Sequence, residues 1–192
     1  RGVADRALFM PDQAPAWDRA QLWEEAEKAE KRKNSVVARE VLLALPHEMP
    51  LDGQRKAVGA FCGWLVSRYQ VAADAAIHTP KSGHDARNVH AHILMTTRRL
   101  SAQGLTEKTR ELDDNRLTGP LEIEAMREAW AYILDGHGFK LEHKRKGRGP
   151  RVESRAPCYP VRSSGSHPVP HSDRSTLFPL PQARYPVSNI LG

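Results

Sequence analysis

The sequence predicts an α+β fold in which an antiparallel sheet carries helices packed on one face. Three observations lead there. Residues 54–69 place Val58, Phe61, Cys62, Leu65, Val66 and Tyr69 at the recurring three- and four-residue spacing of an amphipathic helix. Residues 71–78 and 89–97 alternate with the period of strands, and the polar loop 79–88, with Pro80 and Gly83, suits an antiparallel hairpin between them. In that alternation His78, His90 and His92 fall in one phase, on the open face away from the helices.

The remaining elements follow in order. Residues 6–10 form a short strand stopped by Pro11. Residues 17–33 are helical, free of Gly and Pro and supported by the i,i+4 pairs Glu24/Lys28 and Glu27/Lys31. Residues 36–45 are β-branched at their start and end at Pro46, which marks a strand. In the strand 71–78, Val71, Ala73, Ala75 and Ile77 share one face, and Asp74 and His78 the other. In 89–97, Val89, Ala91, Ile93 and Met95 face one way, and His90, His92 and Leu94 the other. Residues 120–134 make a last helix, with Pro120 in its first turn and Ile123, Met126, Trp130, Ile133 and Leu134 on one face.

Beyond Gly136 the character changes. Residues 147–150, Gly-Arg-Gly-Pro, break any element, and half of the 14 prolines lie past residue 155 among serines. The expected division is a domain over 1–135 and a tail over 136–192, basic and then Pro/Ser-rich, without a packed core. The charge of +6 is concentrated in that tail. Residues 140–155 hold seven basic and two acidic side chains, and residues 156–192 three and one, which leaves −1 for residues 1–139. Nucleic-acid affinity of the domain must therefore come from a local patch, not from bulk charge.

No run reaches the length of a membrane span, and no signal peptide is visible. Cys62 and Cys158 form no metal-type pair, so a reducing cytoplasm is expected. Three imidazoles on one surface can hold a metal while leaving coordination positions open; satisfied sheet histidines are the ordinary alternative. His84 lies in the loop, and His47, His137, His143, His167 and His171 carry no pattern.

Leu22-Trp23, the run from Ala26 through Asn34, Ala38-Arg39-Glu40, Ala44-Leu45-Pro46, Asp74 through His78, and Arg87 through Leu94 together form a pattern that resembles the MobA/MobL-type conjugative relaxases. Thr109 through Asp114, Thr118-Gly119-Pro120 and Arg127 through Ala131 continue the likeness, in the family's order, over roughly residues 8–132. The resemblance implies a relaxase-like sheet with paired histidines on a central strand. It also implies an enzyme that nicks single-stranded DNA at an origin of transfer, by attack of a tyrosine hydroxyl on the scissile phosphate, with other relaxosome proteins as possible partners in a bacterial cytoplasm.

By position, His78, His90 and His92 inherit the ligand roles for a divalent ion, Mn or Mg, with Asp74 orienting a histidine from behind. Arg87, Asn88, Lys108 and Arg110 flank the histidine strands; they are ordinary surface groups or phosphate contacts. The family's tyrosine belongs to a segment that would precede Arg1, so no catalytic residue is assigned. Tyr69 is expected in the core, Tyr132 in the last helix, and Tyr159 and Tyr185 in the tail. Where the family usually carries a second acidic residue two positions after Glu40, this chain has Leu42. Two other readings stand beside the fragment of a nickase: a noncatalytic remnant that binds metal and single-stranded DNA, and a degenerate product without function.

Overall fold

The computed structural model describes residues 2–80, 83 and 85–139. Of the tail expected over 136–192, the part past residue 139 lies outside the described residues, as do His84 and Cys158. The elements run β1 (Val3–Phe9), α1 (Arg19–Lys28), β2 (Ala38–Ala44), α2 (Leu51–Tyr69), β3 (Ala73–His78), β4 (His90–Thr96), β5 (Arg98–Ser101), β6 (Gly104–Lys108), a 3-10 turn (Arg110–Leu112) and α3 (Thr118–Gly136). A four-stranded antiparallel sheet has the order β1-β3-β4-β2, and β5 and β6 pair as a separate hairpin. The histidine strands β3 and β4 are thus the two central ones.

Alternation sorts the side chains as the sequence predicts. Ala73, Ala75 and Ile77 of β3 and Ala91, Ile93 and Met95 of β4 are buried on one face. They pack with Val41 and Leu43 of β2, with Val58, Phe61, Cys62 and Leu65 of α2, and with Met126, Trp130 and Leu134 of α3. Burying each large apolar side chain contributes about 1.5–3 kcal/mol, so this layer supplies most of the driving force. The Phe61 ring meets Trp130 edge-on at 5.7 Å. Burial pushes the Cys62 thiol well up, aided by the negative Asp74, so it stays protonated.

The helix arrangement departs from expectation. Helices α2 and α3 share one face, but α1 packs on the histidine side. There Leu22 joins Ala72 and Leu100 in a second small core, with Leu8, Trp17, Trp23 and Leu105 against it. This helix is also shorter than expected. It ends at Lys28, and Glu30 beyond it turns inward to meet Arg98 Nε at 2.9 Å and Lys108 Nζ at 2.8 Å. The β5–β6 hairpin is an addition to the elements the sequence predicts. Its chain reversal uses Gly104 at φ +93°, a conformation open to glycine, and a side chain there would crowd the Trp17 ring.

Candidate metal centre

The register of β3 and β4 builds the site. His78 lies opposite His90, and Ala76 lies opposite His92. Directly opposed residues project to the same face, so the three imidazoles converge. Their ring centres stand 4.9–5.5 Å apart, and one ligand nitrogen from each can be chosen so that all three lie within 4.8 Å of one another. All three are half-buried. Leu42, Ala44, Asn88, His90 and His92 line an open depression of about 270 Å³ beside them.

Hydrogen bonds fix two of the rings. The Asn88 carbonyl accepts from His90 Nδ1 at 3.0 Å, and the Glu40 carboxylate accepts from His92 Nδ1 at 2.6 Å. A carbonyl and an ionised carboxylate only accept, so both Nδ1 atoms carry the proton. In the neutral ring, each Nε2 then keeps the lone pair. That is the donor state a metal requires, with the carboxylate–histidine pairing that commonly stands behind metal ligands. The residues therefore fit a divalent ion held by three nitrogens, with positions open to water or phosphate oxygen.

The carboxylate behind the histidines is Glu40, not Asp74. Asp74 lies one pairing row away on the same face, but Arg19 Nε donates to both of its oxygens at 2.9 and 2.8 Å, and Trp23 Nε1 donates to Oδ2 at 3.1 Å. Its role is to fasten α1 onto the histidine face. Glu40 appeared in the sequence only as part of a family-like motif. The usable signal was its phase: Glu40 alternates against the buried Val41 and Leu43, and so shares the histidine face once β2 pairs with β4.

The four expected DNA contacts separate. Arg87 and Asn88 lead directly into His90. Arg87 is 73% exposed and pairs with Asp85, holding that carboxyl down at about 2. Lys108 is committed elsewhere: its side chain is 17% exposed and its ammonium is bonded to Glu30 at 2.8 Å. Arg110 is exposed beyond the far end of β4, near Asp113. Neither described tyrosine joins the centre. Tyr69 is buried among the helices, its hydroxyl donates to Glu122 at 2.7 Å, and burial together with that carboxylate pushes its pKa well up. Tyr132 is exposed on α3, the other side of the sheet from the histidines. Tyr159 and Tyr185 lie outside the described residues. No described helix is long and apolar enough to cross a membrane.

Fold and site together define an antiparallel sheet whose central strands present a three-histidine centre on an open face. A model of the MobA/MobL family matches residues 1–156, and the chain belongs to that family. Mobilization protein MobL of Acidithiobacillus ferridurans is 29% identical over 175 residues, covering 74% of this chain and 46% of that protein. Conjugal transfer protein TraA of Agrobacterium fabrum is 25% identical over 164 residues, covering 74% and 14%. Mobilization protein A of Escherichia coli is 28% identical over 155 residues, covering 71% and 20%. The chain spans less than half the length of each of these curated relatives.

Proposed function

We propose that this chain supplies the metal- and single-stranded-DNA-binding face of a conjugative relaxase acting at an origin of transfer. The observation that carries the proposal is the convergence of His78, His90 and His92 with both visible Nδ1 partners acting as acceptors, in a member of a family whose named relatives are mobilization and transfer proteins. A divalent ion bound there supplies Lewis-acid polarisation and orientation of phosphate oxygens. Glu40 holds His92 in the ligating tautomer, and the Asn88 carbonyl does the same for His90. Arg87 and the Asn88 side chain contact the DNA backbone beside His90, whereas Arg110 sits with Asp113, the partner of Arg39, away from that face. Lys108 is withdrawn from that role by Glu30.

Cleavage in this scheme is a transesterification. A tyrosine oxygen forms the new bond to phosphorus, the bond from phosphorus to the 3′ oxygen breaks, and the departing oxygen takes up a proton. The attacking hydroxyl must be held within hydrogen-bond reach of its reaction partner. Neither Tyr69 nor Tyr132 is placed for that, so we assign the nucleophile to residues outside the described set. The same placement favours a second reading, a module that binds metal and DNA without cutting.

Titration of the purified chain with manganese, followed by anisotropy of a fluorescein-labelled oligothymidylate, tests the proposal. The expected result is metal binding that strengthens DNA binding. Absence of metal binding, or DNA binding indifferent to metal, overturns it. A covalent protein adduct with a random pool of single strands separates the nickase from the noncutting module.

A further inference from the structure

We propose that Arg6 is a phosphate-contact residue of the histidine centre, gripping the backbone of the bound strand on the β1 side. The inference deepens the relaxase reading above and rests on it.

The geometry comes from one row of the sheet. Arg6 is opposite Ala76, Ala76 is opposite His92, and His92 is opposite Leu42. All four side chains therefore project to the histidine face. Two strand spacings separate Arg6 from His92, about 9.5 Å between backbones. The residue between them is an alanine, so no bulk blocks an arginine reaching across β3. His78 is the diagonal neighbour of Arg6, a separation of about 7–8 Å that long side chains bridge.

Charge singles out the same residue. Arg6 is exposed, and among the described residues no carboxylate pairs with it. Arg19, on the same face, is held by Asp74, and Arg87, the other proposed backbone contact, lies in the loop before His90 rather than on the sheet and is shared with Asp85. Arg6 thus presents a guanidinium free to take a phosphate, whose oxygens match its planar fork. On the opposite side the row ends in Leu42, which offers no charge. This asymmetry sends the phosphodiester backbone from the centre toward β1 and leaves the Leu42–Ala44 depression for a sugar or base.

The test uses the whole chain, manganese and fluorescein-labelled oligothymidylate over a range of salt. Each phosphate contact on a single strand adds about 0.7 to the slope of log affinity against log salt. Arg6→Ala is expected to weaken DNA binding several-fold and lower that slope by about 0.7. Manganese affinity without DNA should not change. Arg6→Lys should restore the slope but not the full affinity, because an ammonium lacks the fork. Ala76→Leu should weaken DNA binding as Arg6→Ala does, by filling the gap over β3, without altering the salt slope in any Arg6→Ala background. An Arg6→Ala chain with parental affinity and slope, while the parent still binds in a metal-dependent way, overturns the Arg6 assignment and leaves the histidine centre standing. A parent that shows no metal-dependent binding overturns the relaxase reading, and this inference with it.

Discussion

Glu40 and His92 sit diagonally on adjacent strands, and the carboxylate accepts the Nδ1 proton of the ring at 2.6 Å. The contact joins an edge strand to a central one and aims the free ring nitrogen at its two neighbours. Loss of a carboxylate behind a metal-bound histidine typically costs 10–100-fold in metal affinity. Glu40→Ala is expected to weaken manganese binding by about that factor, and Glu40→Gln by less, since an amide oxygen still accepts. Calorimetric titration checks this; unchanged affinity in Glu40→Ala would remove Glu40 from the centre.

His90→Ala and His92→Ala remove ligands themselves. Each should reduce manganese affinity more than either Glu40 substitution, while His84→Ala leaves it at the parental value. The same titration reads the order. Equal losses at His84 and His90 would contradict the assigned set.

Asp74 is a structural anchor, which gives it the opposite signature. Asp74→Ala breaks three hydrogen bonds from Arg19 and Trp23 to a carboxylate that is 11% exposed. Hydrogen bonds to charged groups contribute about 1.5–3 kcal/mol each, so a loss of at least about 2 kcal/mol in urea unfolding is expected. Manganese affinity of the folded protein should stay within about twofold of the parent, against the 10–100-fold cost of removing a carboxylate that orients a ligand. A large affinity loss with little destabilisation would return Asp74 to the ligand shell.

Much of the site was legible because strand alternation is a local property. His90-Ala91-His92 and Asp74 through His78 state their phase in the sequence, and small apolar residues opposite the histidines mark the buried face. The partners of those histidines were not legible. Glu40 meets His92 only because β2, rather than β1, lies beside β4, and strand order is set by how distant segments cover the core. For the same reason the sequence does not show which face of the sheet α1 covers. Its attachment depends on Leu8 and Asp74 belonging to two different strands that pair at that point. The β5–β6 hairpin escaped because its strands are four and five residues long and bury few apolar side chains.

Glu30 predicts an acid-sensitive joint between α1 and that hairpin. Its side chain is only 6% exposed. Burial alone would raise its pKa, but hydrogen bonds from Lys108, Ser35 and Arg98 outweigh it and hold the carboxyl below the usual range. Stability from this group is therefore fully present above the unfolded carboxyl value of about 4.3 and is lost as pH falls through the lower folded value. Thermal melts between neutral pH and pH 3 should show the parent losing more stability on acidification than Glu30→Gln. The variant should itself be weaker at neutral pH by about 1.5–3 kcal/mol, the usual contribution of a hydrogen bond to a charged group. Parallel acid profiles would contradict the assignment.

The central claim is that three imidazoles take one cation through ring nitrogens. Electron spin echo spectroscopy of the manganese-loaded chain reads it directly. The account predicts couplings to three directly coordinated nitrogens, falling to two in His92→Ala. A spectrum of a purely water-coordinated ion, or one unchanged by His92→Ala, would contradict it.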